Sequence, residues 1–204
     1  MQKLTLATLG ALAFTLVSTN VFAVDGTITV NGAVTDQTCT LQPWSSIGGI
    51  TSGLKNLTLT LPTLSKSSFT PSSLRSMLYI FSLKLTNATG TDHCDVATTQ
   101  AFKGIHFSVT SPATNLDATD KTLLVNQATD ASITNPVFIQ FLAGAGEGSL
   151  PVDFSALWGA QAKAQLDTIG IISHVYYAVR YVSKTGIVDA QTVQATVNYT
   201  LHYN

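Results

Sequence analysis

Apolar and polar residues alternate strictly in the last segment of the chain, residues 193–204. The apolar positions there are Val193, Ala195, Val197, Tyr199, Leu201 and Tyr203. A polar residue follows each of them, up to Asn204. A period of two places alternate side chains on opposite faces of an extended chain, so the pattern predicts a strand with one apolar face.

Several shorter segments carry the same strand signal of alternation or dense β-branched and aromatic residues. They are residues 24–34, 57–61, 77–85, 105–109, 123–126, 137–142 and 174–182. Turn-rich stretches at residues 45–53, 86–91, 111–119 and 144–148 separate them. The one candidate helix is residues 154–166, rich in Ala and Gln, although a loop with one helical turn fits equally well. Many short strands without regular intervening helices predict an all-β sandwich of immunoglobulin type.

The first 23 residues have the three-part pattern of a secretory signal peptide. Lys3 precedes an apolar run at residues 4–17, and a more polar stretch leads to small residues ending at Ala23. A membrane anchor is the alternative, but the run is shorter than the about 20 residues that span a bilayer. We expect cleavage after Ala23.

Composition excludes some functions. Charged residues make up 10% of the 204 residues, with 10 Lys and Arg against 11 Asp and Glu. The chain therefore lacks the surplus of positive charge with which proteins displace counterions from nucleic acids, and no nucleic-acid partner is expected. Thr is abundant and Glu147 is the single glutamate, which favours strands over helices.

The densest group of chemically active side chains is the run from Asp92 through His93 and Cys94 to Asp95. A metal site needs further ligands at workable spacing, and a thiol nucleophile needs a free cysteine. Export leads to an oxidising compartment, so we expect Cys39 and Cys94 to be paired. We predict no catalytic, metal or cofactor site. A secreted metal or thiol hydrolase built on this run remains the enzymatic alternative.

Both ends of the mature chain resemble the type 1 fimbrial subunits. Residues 26–39, GTITVNGAVTDQTC, fit that family's N-terminal pattern, and residues 195–204, ATVNYTLHYN, resemble its terminal strand with a penultimate tyrosine. Residues 80–85 before Cys94 and residues 177–182 resemble two of its internal strands. The chain departs from the family at Gln191, where glycine is frequent, and in a longer gap before Cys94.

The resemblance implies an incomplete immunoglobulin-like sandwich that lacks its last strand. Residues 24–35 would be an N-terminal donor-strand extension and residues 36–204 the pilin domain. The strand ending at Asn204 would line an acceptor groove, filled first by a periplasmic PapD-like chaperone and then by the extension of the next subunit. The residues expected to enter a neighbour's groove are Ile28, Val30, Gly32 and Val34.

The function that the resemblance implies is a structural subunit of a surface fimbria, most simply the major pilin, exported through the periplasm and an outer-membrane usher. No cofactor is expected. A minor or adaptor pilin of the same fibre is one alternative. A secreted, self-contained immunoglobulin-like binding module is another, and it differs by folding alone as a closed sandwich.

Overall fold

The computed structural model describes residues 38–46, 49–52, 55–146 and 148–204, and most of its regular structure is antiparallel β-strand. The predicted signal peptide and donor extension, residues 1–23 and 24–35, lie outside the described residues. The strands are β1 (Thr40–Ser46), β2 (Ile50–Ser52), β3 (Leu57–Leu59), β4 (Tyr79–Thr86), β5 (Phe102–Ser108), β6 (Leu123–Val125), β7 (Phe138–Ala143), β8 (Leu150–Pro151), β9 (Leu166–Ile169), β10 (Ile172–Val182) and β11 (Asn198–Tyr203).

The described residues form three sheets. The largest has the order β1-β4-β10-β7-β6, with β8 beside β7 and β9 beside β10. Strands β5 and β11 pair with each other, and β2 and β3 form a small hairpin. All these pairings are antiparallel. The predicted all-β class is confirmed.

The core lies between the largest sheet and the β5–β11 pair. Val175 and Tyr177 of β10 are fully buried, and so is Ile105 of β5. The rings of Tyr177 and Phe107 meet edge to face with centroids 5.1 Å apart, which joins the two layers. Burial raises the pKa of Tyr177 to about 12, so its phenol stays neutral.

We call one end of the sandwich the disulfide end. There Thr40 of β1 pairs with Thr86, the last residue of β4. The adjacent Cys39 forms a disulfide with Cys94, with the two Cα atoms 5.6 Å apart. Strand β10 begins at this end, two residues before His174 pairs with β4.

We call the opposite end the loop end. Strand β10 finishes there at Val182, which pairs with Phe138, the first residue of β7, and bridges to Arg75. The loop after β10 and the loop before β7 therefore meet at this end, and the long axis of the sandwich runs from it to the disulfide end.

The helix considered at residues 154–166 is not formed; the segment consists of turns and irregular chain. The reason is Gln161, whose side chain is buried against β5. Its Nε2 donates to the carbonyl oxygen of Phe107 and its Oε1 accepts from the Phe107 N–H, both at 2.8 Å. One amide side chain thus takes the place of a strand partner for β5, and this long-range contact overrides local helix propensity.

The structure also contains elements that the pattern missed. Helix α1 (Val96–Ala101) begins directly after the disulfide, where the Asp95 carboxylate caps it by accepting from the Thr98 N–H at 2.9 Å. A short helix α2 (Pro112–Asn115) lies in the predicted turn region, and a 3-10 turn spans Lys66–Ser68. Strand β2 falls inside the stretch 45–53, where only turns were predicted. No helix among the described residues is long and apolar enough to cross a membrane.

Candidate functional site: an open groove beside the last strand

Strand β11 is paired on one side only. Asn198 to Tyr203 pair with β5, and no strand of the described part of the chain pairs with the other edge of β11. Along residues 192–200 the even positions are exposed and the odd ones half-buried, as the sequence pattern predicted. The half-buried apolar side chains line an open groove; they are Val193, Ala195, Val197, Tyr199, Leu201 and Tyr203.

The facing rim of the groove repeats this alternation. Leu57, Leu59 and Leu61 are half-buried and line the groove, while the residues between them are exposed. Residues 38–41 continue this rim at the disulfide end. Two rims with every second side chain turned into the gap are what a further extended strand would need on both sides.

The floor of the groove is the hydrophobic core itself. It is formed by Phe81, Leu83, Phe107, Ile139, Phe141, Val179 and Tyr181. The volume of the groove is about 1070 Å³. An unpaired strand edge beside so much apolar surface is a template for pairing with another chain, because neither backbone groups nor apolar side chains gain from exposure to water.

Residues 192–197 are extended but lack ladder pairing, so the predicted strand at residues 193–204 is shorter than expected. Loop residues hold this segment from outside the groove. The Gln127 N–H donates to the Gln194 carbonyl oxygen at 2.7 Å, and the Gln194 N–H donates to Asn126 Oδ1 at 2.9 Å. The Thr192 N–H donates to Asp130 Oδ2 at 2.9 Å. These bonds orient the rim while leaving its odd-numbered side chains turned toward the groove.

Gln191 joins the loops at the loop end of the groove. Its Oε1 accepts from Asn126 Nδ2 at 3.0 Å and from the Ser132 N–H at 3.3 Å. Its Nε2 donates to the carbonyl oxygens of Asn135 and Asp189, both at 3.1 Å. Glycine offers no side chain for any of these bonds, so the departure from the family pattern at this position supplies a link that fixes the start of the rim.

Tyr203 lies at the disulfide end of the groove. Its ring meets Phe102 edge to face with centroids 5.9 Å apart. Burial raises the pKa of the Tyr203 phenol, and the nearby Cys39 N–H opposes this rise. Within the described residues, the Tyr203 hydroxyl has no partner at standard hydrogen-bond geometry. The next residue, Asn204, is exposed and donates its N–H to the Ala101 carbonyl oxygen at 3.0 Å. The end of β11 is therefore held in place.

One side chain bridges the two rims. The Tyr199 hydroxyl on β11 donates to the Lys55 carbonyl oxygen at 3.1 Å, just before β3. Burial raises the pKa of this phenol. Any strand that enters the groove has to pass this bridge or break it.

The side chains of the run from Asp92 to Asp95, considered above for metal or thiol chemistry, include two with structural roles. Cys94 is in the disulfide and Asp95 caps α1, where hydrogen bonds from Thr98 lower the Asp95 pKa. In the described part of the chain, no group of three His, Cys, Asp or Glu side chains is arranged to hold a metal ion.

An aromatic cluster that the strand periodicity does not reveal lies on the outer face of β5 and β11. Trp158 stacks on His202 with ring centroids 3.9 Å apart, and His106 lies 5.8 Å from His202. Lys163 Nζ lies 4.4 Å from the centroid of the Trp158 ring. Burial lowers the pKa of His202, and the charges of His106 and Lys163 lower it further. The cluster packs the loop after β8 onto the outer face of β5 and β11.

Comparison with solved structures supports the fold. The chain matches the P pilus rod subunit PapA with a TM-score of 0.52 at 19% sequence identity, over 88% of this chain and 99% of that one. At this identity the match concerns the fold alone, which is an immunoglobulin-like sandwich. No family model matches the sequence.

Two curated relatives cover nearly the whole chain. The major fimbrial subunit SMF-1 of Stenotrophomonas maltophilia is 32% identical over 185 residues, 89% of this chain and 94% of that protein. The F17 fimbrial protein of Escherichia coli is 32% identical over 189 residues, 91% of each chain. Identity at this level along about nine-tenths of each chain shows common descent and a structural role rather than an enzymatic one. The chain belongs to the fimbrial subunit family.

Proposed function

We propose that this protein is the major structural subunit of a surface fimbria and polymerises by strand addition. Residues 24–35 of one subunit lie in the groove of the next, with Ile28, Val30, Gly32 and Val34 turned inward. The observation that carries the proposal is the groove, where no described strand pairs with the second edge of β11 and both rims turn alternate apolar side chains inward. The major role is supported by the relative named as a major fimbrial subunit.

The donor segment has the properties that such a groove requires. It alternates, it is rich in β-branched residues and its single charge is Asp25. Antiparallel pairing with β11 gives the more stable ladder, and it brings Val34 to the loop end of the acceptor. Gly32 lacks a side chain, which suits close approach to the groove floor, and any larger residue there would cost about 1–3 kcal/mol by overpacking.

Export and assembly need a temporary partner for the groove. An unfilled groove would expose the free edge of β11, so we propose that a PapD-like chaperone lends a strand in the periplasm until the usher hands the subunit to the fibre. Asn204 is exposed beside the end of β11, and we expect the chaperone to contact the subunit at this end of the groove. The predicted signal peptide, residues 1–23, provides entry to this route.

The test is Val30→Asp. The substitution places an unpaired carboxylate in an apolar groove, which is costly, so fibre elongation should be lost. Capture by the chaperone should persist, because it uses β11 and not the donor segment. The measurements are fibre yield by electron microscopy and co-purification of the subunit with its chaperone.

Thr29→Asp is the matched control, because Thr29 alternates with Val30 and belongs to the outward face of the donor segment. It adds the same charge and should leave fibre yield close to that of the unmodified protein. Equal yields from Val30→Asp and Thr29→Asp would contradict the proposal. A closed binding module would instead be a stable monomer without any chaperone.

A second prediction concerns the bridge across the groove. Tyr199→Phe keeps the ring and removes the hydrogen bond to Lys55, a bond worth about 0.5–1.5 kcal/mol. A synthetic peptide of residues 24–34 should then enter the groove up to about tenfold faster, which stopped-flow fluorescence with a labelled peptide would measure. Tyr176→Phe, which removes a hydroxyl on the outer face of β10, should change nothing. An unchanged rate with Tyr199→Phe would mean that the bridge does not limit entry.

A further inference from the structure

Large exposed apolar side chains occur at both ends of the sandwich. At the disulfide end, the β9–β10 hairpin carries Ile169 and Ile171, which are 57% and 76% exposed. At the loop end, Ile133 and Ile187 are 98% and 58% exposed. The groove does not include any of these four side chains.

Hydrogen bonds hold together the two loops that carry the loop-end isoleucines. Ser132, next to Ile133, donates through its hydroxyl to Asp189 Oδ2 at 2.6 Å. Asn135 Nδ2 donates to the same carboxylate, with 3.2 Å to Oδ1. The loop with Ile133 is thereby held beside the loop with Ile187, and we call these two side chains the loop-end patch.

The hairpin patch, Ile169 and Ile171, is held equally firmly. Ile172 pairs with Ile169, and Gly170 allows the tight turn with a φ of +64°. Strands β9 and β10 continue in register for three more residues, so the turn has a rigid base. Single exposed apolar side chains are common on protein surfaces, whereas neighbouring ones that form a patch are typical of contact surfaces.

The path of the chain decides what meets the hairpin patch. The described chain begins at Thr38, next to Cys39 at the disulfide end. Four residue steps (38 − 34) separate Thr38 from Val34, and four extended residues span at most about 14 Å. If Val34 lies at the loop end of the acceptor's groove, the donor's disulfide end must lie against the acceptor's loop end.

We propose that the hairpin patch of each subunit packs on the loop-end patch of the next copy of this chain, forming a second contact beside the inserted strand. The proposal rests on strand addition as the proposed function. The contact joins two different surfaces of the same protein, and such a head-to-tail contact propagates along a filament instead of closing into a dimer. It fixes the angle between successive subunits, which a strand in a groove joined by a short connection leaves free to vary.

The experiment replaces the apolar side chains of both patches with charged ones. Ile169→Asp/Ile171→Asp and Ile133→Lys/Ile187→Lys each place charge against an apolar surface, so polymerisation of purified chaperone-bound subunits should slow at least about tenfold. The variant with all four substitutions has opposite charges on the facing patches and should recover to within about threefold of the unmodified rate. This recovery should weaken in 1 M salt, where charges are screened within about 3 Å.

Two controls separate this contact from the groove. Every variant should bind a peptide of residues 24–34 as the unmodified protein does, and each should melt at a similar temperature because the changed side chains are exposed. Leu157→Asp and Leu157→Lys are the matched surface variants, since Leu157 is 81% exposed on the outer face beside β5. Neither should slow polymerisation.

Three other results would contradict the proposed contact, and they can be told apart. Unchanged polymerisation in both double variants, with peptide binding intact, removes the contact and leaves strand addition standing. If both double variants polymerise slowly and the variant with all four substitutions does not recover the rate, the two patches do not face each other. Failure of the unmodified protein to bind the peptide removes strand addition itself, and the contact falls with it.

Discussion

A second copy of residues 24–34, appended after Asn204 through a short turn, should convert the subunit into a stable monomer that needs no chaperone. Strand β11 ends at Tyr203 with Asn204 exposed, so a turn there would send the copy back along the free edge of β11 in the antiparallel direction. Linkage on one chain gives an effective concentration in the millimolar range. For a domain of this size, each kcal/mol of net gain would raise the melting temperature by roughly 2–4 °C.

Size-exclusion chromatography and thermal melting beside the unmodified subunit would measure this gain. The same fusion with Val30→Asp in the appended copy is the control, because it has equal length and should not fill the groove. If the unmodified subunit already melts as a cooperative monomer and the copy adds nothing, strand addition is wrong.

Loss of the disulfide should be the most damaging change within the described domain. The bond joins the residue before β1 to the residue before the cap of α1 and closes a loop with a sequence separation of 55. Chain-entropy models assign about 4 kcal/mol to a loop of this length. Cys94→Ser should therefore yield a subunit that is degraded in the periplasm, with little or no fibre.

Cys39→Ala/Cys94→Ala is the matched comparison for this prediction. Cys39 is buried in the core, so the single variant leaves an unpaired thiol there, whereas the double variant removes both sulfur atoms. Both variants should melt well below the oxidised protein. Normal fibre yield from either one, measured by immunoblotting of sheared fibres, would show that the bond is dispensable.

Coverage by a strand from another chain would explain why this protein tolerates an unpaired strand edge. Exposed edges are a general route to aggregation, and proteins usually block them with charge, proline or a covering segment. Here the apolar rim residues along β11 would make an uncovered edge especially prone to aggregation. A chaperone strand in the periplasm and a donor strand in the fibre would keep the edge covered at every stage, and this agrees with the absence of charged residues along residues 193–201.

The sequence by itself determined the strand class and the faces of the groove. Period-two alternation specified that Val193, Ala195 and Val197 share a side with Tyr199 and Leu201, and the structure has these side chains half-buried on the groove. The same reasoning found the alternation of residues 57–61 and located most central strands to within a few residues. These features are local, because the direction of a side chain in an extended segment depends only on its position along that segment.

Only the tertiary structure decided which partners these segments have. Alternation does not reveal that residues 192–197 lack a ladder, that β3 forms the facing rim, or that Tyr199 bridges to Lys55. Gln161 replaces a strand partner of β5 from a sequence separation of 54, and Gln191 joins loops from separations of 56 to 65. Such hydrogen bonds form because the fold has already brought the groups together. The local sequence around a glutamine is the same whether or not its side chain has a distant partner. The physical reason is that periodicity specifies a face, whereas pairing depends on the free energy of contacts between distant segments.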